Sequence, residues 1–360
     1  MAVVSLKKLA ERRKARPDES SLGFGQVFTD HMLVARYEEG KGWHDARILP
    51  YGPIQLDPAA AVLHYGQELF EGMKAYRGKD GKVRLFRPEG NCQRMAEGDA
   101  RLCIPPIPPE EMLQMVTELV TLEQDWVPHS EGTSLYIRPT LIATEPFLGV
   151  RPSKSYLFFI ILSPVGAYYA EGFEPVKIWV EPKYSRAAKG GLGAVKAGAN
   201  YAASLLASEK AKEKGYAQVL WLDAAEHRWL EEVGTMNLFI RIGDEVVTPE
   251  LGGSILPGIT RDSVIKLLQS WDVPVTERAI SIDEIREAHA KGTLVEVFGS
   301  GTAAVISPVK ELCYKDEALE VGDGKMGELS RRLYDTLTGI QYGEVEDPFD
   351  WVRILPAPGA

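Results

Sequence analysis

The sequence is poor in cysteine and histidine, and neither residue shows the spacing of a covalent or metal framework. Its 360 residues include three cysteines and six histidines, with no CxxC pair and no HExxH motif. Scattered cysteines are typical of reduced, structural thiols, and the missing ligand spacing gives a metal site no support. We therefore expect a cytoplasmic protein that relies on neither disulfides nor a metal.

Charge and hydropathy argue against two further classes of partner. The formal net charge is −10, and a field of that sign repels nucleic acids and anionic membrane surfaces. The longest strongly apolar run, "YLFFIIL" (156–162), falls far short of the roughly 20 residues that span a bilayer. The basic segment before Asp18 lacks the apolar stretch of a secretory signal. We expect neither nucleic acid nor a membrane as a partner.

Strand-like and helix-like segments alternate irregularly along the chain, which predicts a mixed α/β fold of the α+β type. We expect an N-terminal extension (1–23), a smaller α/β domain (24–165) and a larger C-terminal domain (176–360). The connector between the domains (166–175) combines glycines with a proline. Within the smaller domain, "HYGQELFEGMKAY" (64–76) is predicted to be helical.

The segment "GGLGAVKAGANYAASLLA" (190–207) looks like a phosphate-binding loop but fails both nucleotide patterns. Lys196 follows Val195 where a Walker A loop needs glycine, and it occupies the position of the third glycine in GxGxxG. Its neighbours are small and uncharged, with no adjacent acid, and desolvation would make its amine a nucleophile for a carbonyl group. A solvated lysine on a surface loop is the alternative that these residues leave open.

Three later segments add possible partners for that lysine: "EEVGTMNLF" (231–239), "ILPGIT" (255–260) and "FGSGTAA" (298–304). If Glu231 or Glu232 is buried, its carboxylate can keep a heteroaromatic ring nitrogen protonated; a solvated pair at a turn is the alternative. Each Gly-Thr segment offers backbone N–H groups and a hydroxyl to an anion, and the first precedes a helix. Together they describe a site for a phosphate-bearing aldehyde cofactor.

These segments occur in the order seen in a known family. "FTDHMLV", "LHYGQELFEGMKAY", "VRLFRPEGN", "YIRPTLI", "VKAGANY", "EEVGTMNLF", "ILPGITR", "FGSGTA" and "IQYG" resemble the branched-chain amino-acid aminotransferases from about Phe24 to Gly343. The resemblance implies a two-domain fold type IV enzyme that uses pyridoxal 5′-phosphate (PLP). It also implies a homodimer and reversible ping-pong transfer of the amino group of L-leucine, L-isoleucine or L-valine to 2-oxoglutarate, which gives the 2-oxo acid and L-glutamate.

The resemblance further assigns cofactor roles to individual positions. Lys196 is the catalytic residue, which forms a Schiff base with PLP and moves the proton of the substrate α-carbon. Glu232 pairs with the pyridine nitrogen, and Tyr201 lies beside the phenolic oxygen. The phosphate ligands that it implies are Arg94, Ile259, Thr260 and Thr302.

The substrate pocket is assigned in the same way. The residues that wall the branched side chain are Phe24, Tyr65 and Tyr168, with Val150 reaching across to the site of the partner subunit. The residues that contact substrate carboxylates are Tyr136, Arg138, Thr235, Ala303 and Ala304. Core aromatics with no substrate contact are the alternative for the three wall residues, because aromatic side chains are commonly buried for packing alone.

Two other functions compete with this one. A D-amino-acid aminotransferase or an aminodeoxychorismate lyase has the same fold, but neither is expected to contain "LFEGMKAY" together with "FGSGTA". A non-enzymatic phosphate- or nucleotide-binding protein is the third hypothesis, and the failed nucleotide spacings argue against it.

Overall fold

The computed structural model of the protein describes residues 5–6, 15–166 and 174–357. Contacts between residues divide the chain into two compact units. The first comprises Met1–Tyr168, Val195–Gly198 and Gly339–Ala360, and the second comprises Tyr169–Ala194 and Ala199–Thr338. Each unit contains a nine-stranded sheet, and helices accompany both sheets, so the predicted mixed α/β class is confirmed. Most of the predicted connector lies outside the described residues.

The first unit is built on a largely antiparallel sheet. In chain order its strands are β1 (Ser5–Leu6), β2 (His31–Glu38), β3 (Gly42–Pro50), β4 (Glu68–Phe70), β5 (Met73–Arg77), β6 (Val83–Phe86), β7 (Ser134–Ala143), β8 (Ser155–Val165) and, from the C-terminal segment, β18 (Val352–Ile354). The strand order across the sheet is β1-β3-β2-β8-β7-β5-β6-β18, with β4 paired to β7. The β7–β8 pair runs through ten residue pairs, from Ser134↔Val165 to Ala143↔Tyr156, and forms the centre of this sheet.

Three helices belong to the first unit: α1 (Ala61–Tyr65), α2 (Pro88–Arg101) and α3 (Pro109–Leu122). Both longer helices begin with proline, whose missing N–H costs nothing in the first turn. They bury Met95, Met112 and Leu119 in one apolar cluster with Leu135 and Phe158 of the sheet. This packing fixes α2, which carries Arg94, against the sheet.

The predicted helix over 64–76 is wrong. Helix α1 ends at Tyr65, because Gly66 adopts the left-handed conformation (φ 60°) that terminates helices. The following residues form β4 and β5, which pair with β7. The apolar residues of this stretch are interrupted by Glu68, Glu71 and Lys74, and pairing with β7, not local periodicity, decides its structure.

The second unit is built on a mixed sheet. Its strands are β9 (Val176–Val180), β10 (Gln218–Leu222), β11 (Leu230–Val233), β12 (Met236–Ile242), β13 (Glu245–Thr248), β14 (Val275–Glu277), β15 (Leu294–Gly301), β16 (Val305–Tyr314) and β17 (Glu317–Glu320). The order is β11-β10-β9-β16-β15-β12-β13-β14, with β17 paired to β16. Because β11 also pairs with β12, six of these strands close into a ring.

In chain order, the α-helices described after β9 are α4 (Gly198–Glu213), α5 (Ile259–Ser270), α6 (Ile282–Ala290) and α7 (Glu328–Tyr342). The sequence predicts helices over 201–214, 260–271 and 281–291, and the bounds of α4, α5 and α6 agree with these ranges to within a few residues. Helix α5 begins directly after Gly258, as the anion-binding interpretation of "ILPGIT" requires. No helix in the described part of the chain combines the length and apolarity needed to cross a bilayer.

Candidate active site

The backbone around Lys196 is fixed by strand β4. The Phe70 N–H donates to the carbonyl oxygen of Lys196 at 3.1 Å. Two residues later, the Gly198 N–H donates to Oε2 of Glu68, also at 3.1 Å. The chain at Lys196 and just after it is therefore anchored by β4, and Val195–Gly198 are grouped with the first unit.

Two glycines of the loop are required by close packing. A Cβ atom on Gly198 would lie 2.0 Å from the carboxylate of Glu68, and one on Gly193 would lie 2.1 Å from the Ser254 carbonyl oxygen. The second conflict involves backbone, which cannot rotate away as a side chain can. The small residues that flank the lysine in sequence are thus explained in part by contacts with other segments.

Glu71 holds Arg94 through a two-point pair. The Arg94 Nε and Nη2 atoms donate to the two carboxylate oxygens of Glu71 at 2.8 Å each. Asn91, three residues earlier on the same face of α2, donates to Oε2 of Glu71 at 2.8 Å. Glu71 is fully buried; burial acts to raise its pKa, but Arg94, Lys196 and Asn91 outweigh burial and hold that pKa below the usual glutamate value.

Lys196 belongs to a group of charged and polar side chains that interact electrostatically, which we call the lysine cluster. It comprises Lys196, Glu71, Arg94, Tyr136 and Arg138. Burial lowers the pKa of Lys196, the two guanidinium groups lower it further, and Glu71 and Tyr136 oppose the shift. The Lys196 Nζ lies 5.1 Å from the centre of the Phe70 ring. A lysine in this environment carries a neutral amine at a lower pH than a solvated one.

Arg138 lies against aromatic rings in the same cluster. Its Nη2 donates to the Tyr136 hydroxyl at 3.0 Å, and its guanidinium lies 4.4 Å from the Phe70 ring centre. Phe24 packs edge-on against Tyr136 with 4.8 Å between ring centres. A Cβ on Gly72 would lie 2.2 Å from the Tyr136 hydroxyl, so only glycine leaves room for it. Among the described residues, the buried Nε of Arg138 has no hydrogen-bond acceptor.

The second unit contains a group that we call the carboxylate cluster: Glu231, Glu232, Arg186, Ser254 and Leu256. Glu232 is 4% exposed and accepts the Leu256 N–H at 2.7 Å, while Arg186 Nη2 lies 3.3 Å from the same oxygen. The Ser254 hydroxyl donates to Glu231, and burial raises the pKa of Glu231 although Ser254 and Arg186 oppose that shift. Both glutamates are buried, so a solvated pair is excluded.

Two turns that carry predicted residues lie at one end of the second sheet. Asn237 of β12 pairs with Ser300 of β15, and the turns with Thr235 and with Thr302 flank this pair on the same side. Ala303 and Ala304 complete the second turn. The Asn237 side chain donates to the Leu256 carbonyl at 2.8 Å, which joins this end of the sheet to the segment before α5.

The N-terminus of α5 reaches the same end of the sheet. A Cβ on Gly258 would lie 1.9 Å from the Asn237 side-chain oxygen, so the chain enters the helix in close contact with β12. Ile259 and Thr260 follow as the first helical residues, and Thr260 is buried. Tyr201, in the first turn of α4, is partly buried.

Two of the remaining wall residues, Tyr65 and Val150, belong to the described part of the chain. Tyr65 is 44% exposed, and its hydroxyl donates to the Leu148 carbonyl of the loop that carries Val150. Val150 is 87% exposed. Tyr168 lies outside the described residues. The structure thus groups Lys196, Arg94, Tyr136, Arg138 and Phe24 in the first unit, and Glu232, Thr235, Ile259, Thr260 and Thr302–Ala304 in the second.

Sequence reasoning missed three charged residues with direct contacts in these clusters: Glu68, Glu71 and Arg186. Glu71 stands in a stretch taken for a helix, and a carboxylate between Phe70 and Gly72 in an apolar run is the signal that marks it. Arg186 carries no local signal. Groups of three or more side chains suited to holding a metal ion are absent from the described ranges.

Comparisons with known proteins identify the family of this chain. Residues 68–312 match the model of the amino-transferase class IV family. The chain is 56% identical over 350 residues to branched-chain-amino-acid aminotransferase 2 of Bacillus subtilis strain 168, covering 97% of this chain and 96% of that protein. These findings confirm the resemblance on which the sequence analysis relied.

Solved structures show the same fold. The branched-chain amino acid aminotransferase of Escherichia coli aligns with a TM-score of 0.75 at 27% identity, covering 91% of this chain and 99% of that one. The PLP form of the Thermobaculum terrenum enzyme aligns with a TM-score of 0.72 at 23% identity, covering 90% and 98%. The two-unit architecture described above is therefore that of fold type IV aminotransferases.

Proposed function

Since this chain belongs to the branched-chain amino-acid aminotransferases of the class IV family, we propose that it transfers the amino group of L-leucine, L-isoleucine or L-valine to 2-oxoglutarate. The products are the branched 2-oxo acid and L-glutamate, and the transfer is reversible and proceeds in two half-reactions. The cofactor that we propose is PLP, supported by the PLP form of the Thermobaculum terrenum relative.

The observation that carries this proposal is the environment of Lys196. Burial and two guanidinium groups lower the pKa of its amine, and a neutral amine is the form that attacks an aldehyde carbon. A lysine with only a structural role has no need of two neighbouring cations. The environment therefore favours a reacting amine over a solvated surface charge.

Unpaired polar atoms in both units suit an anionic ligand. In the first unit, Arg138 Nε is buried without a hydrogen-bond partner in the described ranges. In the second, the buried Ser300 hydroxyl has none either. Because buried donors are nearly always paired, each of these atoms fits a ligand with carboxylate or phosphate oxygens.

The cofactor roles follow from the chemistry of each side chain. Bound PLP supplies an aldehyde and an electron-withdrawing ring that stabilises negative charge on the substrate α-carbon. Lys196 would hold the cofactor through its Nζ, and the same amine would move the proton of the substrate α-carbon. Glu232 would keep the ring nitrogen protonated. The remaining proposed ligands are Arg94, Ile259, Thr260 and Thr302 for the phosphate and Tyr201 for the phenolic oxygen.

The substrate contacts divide by polarity. Arg138 and Tyr136 bind substrate carboxylates, and the aromatic face of Phe24 beside them accepts the branched side chain. One guanidinium next to an apolar wall can serve both leucine and the second carboxylate of glutamate. The other proposed contacts are Thr235, Ala303 and Ala304 for carboxylates and Tyr65, Tyr168 and Val150 for the apolar pocket.

We also propose that the enzyme is a homodimer in the cytoplasm. The loop that carries Val150 exposes three large apolar side chains, since Phe147 is 40%, Leu148 61% and Val150 87% exposed. Apolar side chains that protrude together favour a protein partner, and a second copy is the partner proposed. Sedimentation of the purified protein tests this point, and a monomer at micromolar concentration would contradict it.

The central experiment replaces the amine. Lys196→Ala is expected to lower kcat by about 10⁴-fold or more, as loss of a reacting group does. It should also abolish the borohydride-trapped cofactor adduct, located by peptide mapping in the wild-type enzyme. Lys189→Ala, an exposed lysine in the same loop, is the matched control and should retain both. An adduct that persists on another lysine contradicts the assignment.

Substrate assays separate the proposal from its relatives on the same fold. L-Leucine with 2-oxoglutarate should support turnover, and D-alanine should not. A D-amino-acid aminotransferase reverses this preference, and an aminodeoxychorismate lyase uses neither pair.

A further inference from the structure

We propose that Glu71 is a positioning residue for this reaction: it fixes the Arg94 guanidinium and offsets the positive charge of that group at the Lys196 amine. The inference rests on the proposed function, since it takes Lys196 as the reacting amine and Arg94 as a phosphate ligand. Glu71 itself has no proposed contact with substrate or cofactor.

The carboxylate of Glu71 accepts hydrogen bonds from two side chains of α2 and from the backbone of Gly72. Besides the two bonds from Arg94 and the bond from Asn91, Oε2 receives the Gly72 N–H at 3.2 Å. The Glu71 N–H donates to the Pro139 carbonyl at 2.9 Å, which fixes the backbone against β7. The guanidinium is therefore held along its Nε–Nη2 edge by a residue that cannot itself move freely.

The charges around Lys196 indicate a second effect of Glu71. Within the lysine cluster, the guanidinium groups of Arg94 and Arg138, the phenol of Tyr136 and the carboxylate of Glu71 all act electrostatically on the amine. Both arginines and burial disfavour the protonated amine, whereas Glu71 and Tyr136 favour it. Glu71 is the member of the cluster that carries a full negative charge.

This balance suits an amine that must work in both protonation states. A neutral Lys196 is needed to bond an aldehyde and to accept the α-proton, and the protonated form must return that proton. Arg94 alone would bias the amine strongly towards the neutral form. With Glu71 beside it, Arg94 keeps its positive charge for an anion while its effect on the lysine is reduced.

The test measures how readily Lys196 is protonated in the full-length protein freed of cofactor. Competitive acetylation over a range of pH, quantified by mass spectrometry of the Lys196 peptide, gives the midpoint for that lysine, with exposed lysines as internal reference. Glu71→Gln should lower the midpoint by about one pH unit, the usual effect of losing a close opposite charge. Arg94→Gln should raise it, and the double variant should lie between the two.

Opposite signs distinguish this role from a structural one. A residue that only supports the fold would move the midpoint in the same direction in both single variants, or not at all, and either result overturns the proposal. Should Glu71→Gln fail to fold, the decision passes to Glu71→Asp, which keeps the charge and should leave the midpoint near wild type, and to Arg94→Gln.

Glu123 offers a matched control. It is another fully buried glutamate of the first unit, bonded to His31 Nδ1 at 2.6 Å and to the Asp30 N–H at 3.0 Å. Glu123→Gln should lower the thermal stability as Glu71→Gln does, yet leave the Lys196 midpoint unchanged. A midpoint that shifts equally in both variants contradicts a specific role for Glu71.

The proposed function and this inference fail separately. Absence of a borohydride-trapped adduct on Lys196 in the wild-type holoenzyme overturns the proposed function. The acetylation midpoints still decide whether Glu71 offsets Arg94 at the amine, because they are measured without the cofactor.

Discussion

The two units each contain a buried arginine–glutamate pair, and the pairs are built differently. In the lysine cluster, Arg94 binds Glu71 through two hydrogen bonds of 2.8 Å. In the carboxylate cluster, Arg186 approaches Glu232 through Nη2 at 3.3 Å, and the same nitrogen also donates to the Ser254 carbonyl. The shorter bond to Glu232, 2.7 Å, comes from the Leu256 N–H.

The difference indicates which partner of each pair is functional. A carboxylate that accepts hydrogen bonds from both nitrogens of one guanidinium edge fixes the orientation of that arginine. We therefore assign Glu71 the role of orienting Arg94 towards the proposed anionic ligand. Glu232 is instead supported by one backbone N–H and an arginine shared with Ser254, and in this pair the carboxylate itself is the proposed functional partner. Desolvation makes either pair costly to break, because the partner left behind is a buried charge.

In the comparison of the two pairs, the largest expected effect comes from removing the charge of Glu232. Glu232→Gln should lower kcat for L-leucine by roughly 10²-fold or more, since a neutral amide cannot keep the cofactor nitrogen protonated. Steady-state kinetics measure the change, and the absorbance spectrum of the holoenzyme should shift as well.

The adjacent glutamate is the control for that variant. Glu231 is 6% exposed, close to the 4% of Glu232, but its partner is the Ser254 hydroxyl. Glu231→Gln should keep kcat near the wild-type value. Equal losses in both variants would mean that burial of charge in β11, and not contact with the ring nitrogen, explains the result.

The next effect is on stability and concerns the close backbone contact between Gly193 and Ser254. Gly193→Ala should lower the free energy of unfolding by about 1–3 kcal/mol, because its Cβ would lie 2.1 Å from the Ser254 carbonyl and the backbone must shift. Gly52→Ala, with no atom within 4 Å of the added Cβ, should stay within about 0.5 kcal/mol of wild type. Urea unfolding of both variants measures the difference; equal stabilities would contradict the predicted clash.

Local sequence patterns indicated the proposed reacting lysine and the start of α5 more readily than the residues that surround them. Lys196 and the start of α5 could be predicted because a Gly-rich loop and a Gly-Thr helix start are written in consecutive residues. The partners of these residues are distant in sequence. Glu71 and Arg94 are 23 positions apart, and they meet in the folded unit, where β4 pairs with β7 and α2 contacts β4.

The same limit explains the wrong helix over 64–76. Local residues do not decide between the two structures, and the outcome depends on pairing with β7, which lies about 60 residues or more later in the chain. Glu71 was missed for this reason: on a helix it would be one charged residue among several, whereas in the turn between β4 and β5 it is fully buried. Pairing over such distances leaves no periodic trace in one sequence.

A smaller effect is expected for substrate binding in the lysine cluster. Arg138→Lys should raise the KM for 2-oxoglutarate by about tenfold, because an ammonium group cannot bind a carboxylate through two parallel hydrogen bonds. The KM for L-leucine should rise less, since its side chain carries no charge. Steady-state titration of each substrate tests this, and unchanged KM values would remove Arg138 from the pocket.

The smallest effect is a difference in pH dependence that contrasts the two clusters directly. Burial raises the pKa of Glu231, so the folded state holds its proton more tightly than the unfolded chain, and the stability that it contributes falls as pH rises above the usual glutamate value. Arg94, Lys196 and Asn91 outweigh burial to lower the pKa of Glu71, so its contribution to stability is present above that value and is lost as pH falls.

Relative to wild type, Glu231→Gln should therefore become more stable with rising pH, and Glu71→Gln less stable. Urea unfolding of the three proteins at pH values below and above the usual glutamate pKa of about 4.3 measures the two slopes. Slopes of the same sign would mean that the two buried carboxylates are not held in opposite ways.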